Sequence, residues 1–323
     1  MKNLIKIETM ESSNRLRIEF MIGNYCNFKC AYCGPYANGG DTRWPTDYPA
    51  LIDSFKHLLN FYVRNGRDKF EINLLGGEPT LWPKVADFAR DLKQLYNVKI
   101  TMTTNGSRTI RWWEKNATAF DKVLFSYHPG QADLAHYINV IDTVYNLGIP
   151  VNSLVMMYPT LWDDCIDAIE QMKQSNNPWF ICAMEVHPPK YTLEQREIFK
   201  KHVKRRPPLW RVIKDEHENI FKGKTKAKFS DGSEKRVERN YFSTNDITNF
   251  EGWMCNIGIE TINIQKDGKI TGTCGNRIFD EDNFYNIYDP EFTKVFNPKL
   301  VPTLCHSKVC WCQPEMLMTK WKV

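Results

Sequence analysis

The chain has 323 residues, 42% hydrophobic and 25% charged, with a formal net charge of +5, which suits one large globular domain with a small appendage. No apolar run approaches the ~20 residues of a membrane span, and Met1 to Arg17 lacks the apolar core and cleavage site of a signal peptide. So mild a charge gives no reason to expect a nucleic-acid partner, and the expectation is a cytoplasmic protein without a membrane partner.

Leu16 to Ile22 (LRIEFMI) reads as a strand, and Leu51, Phe55, Leu58, Leu59 and Tyr62 share one face of a helix. Phe70 to Leu75 is a second strand. Pro83 suits a first helical turn, before the apolar stripe Val85, Phe88, Leu92 and Leu95. Val98 to Thr103 is strand three, with a short helix near Arg108 to Asn116. Val123 to Ser126 is strand four, and its helix carries Leu134, Ile138, Ile141 and Tyr145 and closes at Gly148. Val151 to Met157 is strand five, Trp162 to Lys173 a helix, and Trp179 to Val186 strand six. Six βα units in a row imply a parallel sheet covered by helices. Right-handed crossovers allow an open doubly wound sheet or a barrel, and the pattern alone does not choose. In either, functional groups belong in the loops after the strand C-termini.

Beyond about Pro188 the pattern changes. Lys200 to Arg206 is a basic run, read as a solvated face rather than, with Trp210 and Trp253, a nucleic-acid surface. Two hairpins follow, Lys224 to Val237 turning at Asp231-Gly232 and Glu260 to Thr273 turning at Asp267-Gly268. The expected division is residues 1–190 as the α/β core, 191–250 as a linker with a polar hairpin, and 251–323 as a small cysteine-rich β-hairpin module.

Ten cysteines are unusual for such a chain. A disulfide scaffold suits a short secreted protein, so metal binding is the better reading. Cys26, Cys30 and Cys33 form CxxxCxxC directly after strand one. Three thiolates can cap three irons of a 4Fe-4S cubane, which usually has four cysteine ligands. A missing fourth ligand leaves one iron open for chemistry. The alternative is a structural zinc with a distant fourth ligand.

Tyr32, aromatic and just before the last cysteine, makes the segment resemble the signature of the radical S-adenosylmethionine superfamily, CxxxCx(aromatic)C. The resemblance extends over most of the chain. Gly76-Gly77-Glu78-Pro79 after strand two is similar to the family's GGEP motif, which binds the methionyl amino group of the cofactor. The glycines would let backbone approach a ligand, and Glu78 could pair with an ammonium. Asn105, in Thr104-Asn105-Gly106, ends strand three as in the family. Ser126 matches a position contacting ribose or carboxylate, and Met156 and Met157 one flanking adenine; their plain readings are a cap and core filler. The resemblance implies a partial (β/α)6 TIM-like barrel. It also implies S-adenosylmethionine bound to the open iron, reductive cleavage to a 5′-deoxyadenosyl radical, and hydrogen abstraction from substrate. The electron would come from a donor such as flavodoxin or ferredoxin.

Cys255 and Cys274 bracket the second hairpin, and Cys305, Cys310 and Cys312 follow. This resembles the twitch or SPASM extensions of the superfamily and implies one auxiliary 4Fe-4S cluster held by four of the five; a zinc knuckle is the alternative. Cys182 on strand six could serve as a hydrogen donor but reads better as packing, as does Cys165. His128, Glu185 and His187 fall on the face where substrate should sit. The implied substrate is a peptide, protein or small metabolite, with oxidation among the outcomes. A nucleoside, sugar or modified base is the second reading, and a non-catalytic iron–sulfur or zinc protein the third. With about fifteen residues before strand one, a leader-peptide recognition domain is expected to be a separate protein.

Overall fold

The computed structural model describes residues 3–9, 14–174, 179–183, 191–195, 197–198, 225–237, 247, 249–272, 284–306, 308, 310 and 318–323. Within them, six strands follow one another across one sheet: β2 (Arg15–Met21), β3 (Lys69–Leu75), β4 (Val98–Thr104), β5 (Lys122–Tyr127), β6 (Val151–Met157) and β7 (Trp179–Ala183). They are parallel and in sequential order, Ile18 opposite Ile72 and Ile72 opposite Ile100. A doubly wound sheet reverses its strand order at a switch point, and this one does not. The intervening helices are α2 (Tyr48–Arg64), α3 (Val85–Leu95), α4 (Ile110–Asn116), α5 (Leu134–Asn146) and α6 (Trp162–Met172), preceded by the short α1 (Pro35–Asn38). They lie on one side, as in a partial (β/α)6 barrel.

The alternation within the strands explains this one-sidedness. Leu16, Ile18 and Phe20 of β2 are fully buried, with Phe20 against Phe55 of α2 and Phe88 of α3. Phe125 of β5 meets Trp113 and Tyr137, and Ser153 of β6 bonds the Tyr137 hydroxyl at 2.8 Å. Side chains alternate in a strand, so the other face carries Arg17 and Glu19 of β2, Glu71 and Asn73 of β3 and Thr103 of β4. Arg15 and Arg17 pair with Glu71 at 2.6 and 3.4 Å, and the Asn73 amide donates to Glu19 at 2.7 Å. One face is an apolar seat for helices; the other is polar across β2, β3 and β4.

The helices are capped locally. The Asp47 side chain accepts from the Ala50 N–H ahead of α2, Thr109 from Trp112 ahead of α4, and Asp133 from His136 ahead of α5.

The sheet continues beyond β2. Strand β11 (Thr261–Ile264) runs parallel to β2 with Asn263 opposite Glu19, and β12 (Ile270–Thr271) folds back on it through Asp267-Gly268, where Gly268 has φ +87°. The hairpin read from the sequence is therefore present and adds to the barrel sheet. The Tyr62 hydroxyl of α2 donates to the Gly258 carbonyl at 2.5 Å, and His57 lies 3.0 Å from the Phe296 carbonyl after α7 (Phe292–Val295).

A second sheet combines both ends of the chain. Strand β1 (Leu4–Thr9), absent from the sequence reading, pairs with β8 (Thr225–Phe229) and with β14 (Lys320–Lys322). Strand β9 (Glu234–Val237) completes the hairpin expected at Asp231-Gly232. Strand β10 (Trp253–Cys255) lies between β14 and β13 (Thr303–Leu304). Among the described residues no helix is long and apolar enough to cross a membrane.

Candidate iron–sulfur and cofactor site

The loops after β2, β3, β4, β5 and β6 each contribute to one cluster of side chains at the C-terminal edge of the sheet. The loop after β2 is shaped by Asn24, which is wholly buried. Its side-chain nitrogen donates to the Pro35 carbonyl at 3.1 Å and to the Asp41 carboxylate, and its oxygen accepts from the Thr42 N–H at 2.9 Å. Backbone bonds from the Asn24 N–H to the Thr42 carbonyl and from the Gly40 N–H to the Asn24 carbonyl close the same neck. Cys26, Cys30 and Cys33 therefore sit on a loop stapled at its base, with a turn from the Cys30 carbonyl to the Cys33 N–H at 3.0 Å.

The loop after β3 packs against this neck, backbone on backbone. The Gly77 N–H bonds the Gly23 carbonyl and the Glu78 N–H the Tyr25 carbonyl, both at 2.9 Å. A Cβ on Gly76 would stand 2.3 Å from the Gly23 oxygen, and one on Gly77 2.2 Å from the Tyr25 oxygen. The close approach that these glycines permit is thus to the cysteine loop itself, three residues before Cys26 and one.

Glu78 is bound into the protein itself. The residue is 3% exposed, and its carboxylate is turned into the protein. One oxygen accepts from the Thr80 N–H (3.0 Å), the Thr80 hydroxyl (2.6 Å) and the Thr104 hydroxyl (2.7 Å); the other accepts from the Asn105 N–H (2.7 Å). Burial raises its pKa, opposed by these donors. Three donors fill one oxygen and the Asn105 N–H occupies the other, so the carboxylate ties the turn after β3 to the end of β4. Asn105 is likewise engaged, donating to Asn27 at 3.1 Å and to the Cys26 sulfur at 3.8 Å.

The three thiols are half-buried to buried and near enough for mutual electrostatic influence. Burial pushes Cys26 up to about 11; nearby Glu78, Cys30 and Cys33 add to this, and the Phe28 N–H, 3.3 Å from the sulfur, opposes it. Burial also raises Cys30 and Cys33. Such thiols become thiolates when a metal replaces their protons. Among the described residues, no three His, Cys, Asp or Glu side chains converge as the ligands of a single metal ion do. The sulfurs of a cubane bind separate irons and need no common point, and N–H···S donors such as Phe28 and Asn105 are usual around clusters. The donor set fits a cubane better than a lone zinc.

Tyr32 and His128 are coupled. The Tyr32 hydroxyl is 2.8 Å from His128 Nδ1, the rings are stacked, and the Cys30 sulfur is 3.5 Å from the same nitrogen. Tyr158, after β6, closes on Tyr32 with ring centroids 4.8 Å apart. Burial pushes His128 down to about 4, so its imidazole is neutral near pH 7. His128, which the sequence places on the substrate face, braces the cysteine loop, as does Gln131, which accepts from the Lys29 N–H at 2.8 Å.

Of the remaining sequence candidates, Pro79 is buried and opens a 3-10 turn, Pro79–Leu81. Ser126 and Met156 lie on the lumen-side registers of β5 and β6, and register pairs Met156 with Cys182. Cys165 is fully buried on α6 as expected. Cys274, Cys312, Glu185 and His187 lie outside the described residues.

In the second group, Cys255 on β10 stands between Thr303 of β13 and Lys320 of β14. Cys305 follows β13, its N–H bonded to the Trp253 carbonyl at 2.8 Å. Cys310 is buried beside Phe250 and Ile7. Burial pushes Cys255 up to about 11; Lys320 and the Ile257 N–H oppose this, while Cys305 and Cys310 add to it. None of Cys26, Cys30, Cys33, Cys165, Cys255, Cys305 and Cys310 is held in a disulfide. Three grouped thiols with N–H and ammonium donors again suit a thiolate-bound anionic cofactor.

Sequence reasoning did not find Asn24, Gln131, Tyr158 or Lys320. Only Asn24 offered a signal, as a turn-forming residue after Gly23 at the end of a strand.

Residues 20–172 match the model of the Radical SAM superfamily. With the barrel and the cysteine loop, this defines residues 20–172 as a radical SAM domain. The GTP 3′,8-cyclase of Haemophilus influenzae is 25% identical over 154 residues, 43% of this chain and 44% of that one. The GTP 3′,8-cyclase of Limosilactobacillus fermentum is 31% identical over 90 residues, 28% of this chain and 26% of that protein. The matches thus span less than half the length of these curated relatives. Among solved structures, native anSMEcpe with bound AdoMet and the Cp18Cys peptide superposes with a TM-score of 0.51 at 14% identity, covering 88% of this chain and 81% of that one. The same protein with the Kp18Cys peptide gives 0.51 at 14%, covering 94% and 83%. At such identity the likeness is one of fold.

Proposed function

We propose that the chain is a radical S-adenosylmethionine enzyme acting on a peptide or protein side chain. The observation that carries the class is the cysteine loop: three thiols, supplied with N–H···S donors, on a stapled loop at the mouth of a parallel barrel. Cys26, Cys30 and Cys33 would hold a 4Fe-4S cluster. Bound together, cluster and S-adenosylmethionine supply a 5′-deoxyadenosyl radical that abstracts hydrogen from substrate. The protein's own part is positional. Asn24, Gly76 and Gly77 fix the neck of the loop, Glu78 and Asn105 tie it to the next two strands, and Tyr32, Tyr158 and His128 shield the Cys30 side from water. Ser126 and Met156, on lumen-side registers, are placed for contact with the cofactor.

The choice of peptide is supported by the fold likeness to anSMEcpe, which covers 88% of this chain and whose structure holds a peptide. Cys255, Cys305 and Cys310, with either Cys274 or Cys312 as the fourth ligand, would hold an auxiliary 4Fe-4S cluster. A reductant such as flavodoxin or ferredoxin would deliver the electron. The second reading, a nucleotide substrate, is favoured by the likeness to the GTP 3′,8-cyclases, which is confined to part of the chain.

The test is anaerobic reconstitution followed by reaction with dithionite and S-adenosylmethionine. Wild type should release 5′-deoxyadenosine and bind roughly eight irons per chain, two cubanes. C30A should lose the release and about half the iron. Transfer of deuterium from labelled peptide or GTP into 5′-deoxyadenosine decides the substrate. Iron binding without any cofactor cleavage would end the proposal.

A further inference from the structure

The second cysteine group contains a cation that its surroundings do not otherwise explain. Lys320 lies on β14, 2% exposed, with Cys255 opposite it on β10. Its ammonium donates to the Cys310 sulfur at 3.5 Å and sits over the Phe250 ring, 4.4 Å from the centroid. Among the described residues no carboxylate lies within ion-pair distance of it; the described ion pairs involve other lysines and arginines. Burying an ammonium is costly unless an anion or several good acceptors meet it. A thiol is a weak acceptor and an aromatic face a modest one. A thiolate-ligated cluster, by contrast, carries net negative charge on its sulfurs. The neighbouring lysines of the same sheet behave differently: Lys228 and Lys226 are partly exposed and pair with Glu8 and Glu234.

We infer that Lys320 is the built-in counter-charge of an anionic cofactor held by Cys255, Cys305 and Cys310, hydrogen-bonded to the Cys310 thiolate and setting the cofactor's reduction potential. This rests on the auxiliary-cluster reading and goes beyond it by naming the residue that tunes the cluster. Lys320 is a positioning residue: it acts through Cys310 and touches no substrate. A cation at hydrogen-bond distance from a ligating sulfur favours the reduced, more negative cluster, so its removal favours the oxidised one.

The experiment uses the full chain with Cys26, Cys30 and Cys33 changed to alanine, so that only the second site can load. The protein is reconstituted with iron and sulfide, and its midpoint potential is read by a redox titration followed by electron paramagnetic resonance. K320M should shift the reduction equilibrium about tenfold toward the oxidised cluster, about 59 mV for one electron. K320R, which keeps the charge, should shift it far less. Should K320M not fold, the same comparison between K320Q and K320R decides. An unchanged potential in both K320M and K320R, with normal iron content, overturns the role of Lys320 while leaving the auxiliary cluster standing. Failure of the triple-alanine chain to load any cluster overturns both.

Discussion

Replacing Glu78 by glutamine separates two roles that one carboxylate could have. Its oxygens accept from two backbone N–H groups, of Thr80 and Asn105, and from two hydroxyls, of Thr80 and Thr104. The hydroxyls can rotate and accept from an amide. The backbone groups cannot, and they lie on different oxygens. In either orientation the new NH2 therefore faces a backbone N–H. The loss is one charge-assisted bond of about 1.5–3 kcal/mol plus unsatisfied buried donors at about 1–3 kcal/mol each, offset by relief of a buried charge. The net expectation for E78Q is a destabilisation of about 2–4 kcal/mol, a fall of roughly 3–6 °C in unfolding midpoint for a protein of this size. Thermal unfolding of the metal-free chain reads it directly, with equilibrium binding of S-adenosylmethionine to reconstituted protein as the companion measurement. An unchanged midpoint with weakened binding would refute the reasoning and return Glu78 to the role of ammonium partner.

Other consequences are open to the same kind of test. G77A places a methyl group 2.2 Å from the Tyr25 oxygen, so the cysteine loop must move; cluster loading should fall severalfold by iron analysis while the circular dichroism of the barrel is kept. N24A leaves the Thr42 N–H and the Pro35 carbonyl without their side-chain partner and should cost about 2–4 kcal/mol by denaturant unfolding, with the protease-sensitive site mapping to residues 25–42. Asp41 is held down to about 2 by hydrogen bonds from Asn24 and from Lys266. A depressed carboxylate stabilises above its unfolded pKa and loses that contribution as pH falls through its folded value. The Asp41–Lys266 bridge should thus persist through pH 4 and be lost toward pH 2, followed by the carboxyl resonance of Asp41; loss near pH 4 would contradict the arrangement.

The barrel was legible because its signals are local. The alternation in LRIEF, FEIN and KITMT sets Phe20, Ile72 and Ile100 toward helices and Glu19, Asn73 and Thr101 away from them. Strands covered on both faces would read as unbroken apolar runs, so a polar face was already written in that alternation. The CxxxCxxC loop and the GGEP turn fell after β2 and β3 as the pattern required. Their internal geometry was not legible. Nothing local states that the Glu78 carboxylate turns toward Thr80 and Thr104, or that His128 would meet Tyr32 across nearly a hundred residues. The second sheet escaped for the same reason: Leu4–Thr9 is short, and its partners are Thr225–Phe229 and Lys320–Lys322. The two hairpins were found from their Asp-Gly turns, but a hairpin signal does not reveal that β11 docks beside β2.

That docking bears on synthesis. Strand β2, which launches the cysteine loop, has β3 on one flank and β11 on the other. As the chain leaves the ribosome, the β3 flank is filled early, whereas the β11 flank waits for some two hundred and forty residues more. Until then the strand beneath the cysteine loop offers an unpaired row of backbone groups, the kind of edge that recruits other chains. Nascent protein should accordingly be most aggregation-prone just before Thr261 emerges, and fragments cut short of β11 should precipitate even though they contain every barrel strand.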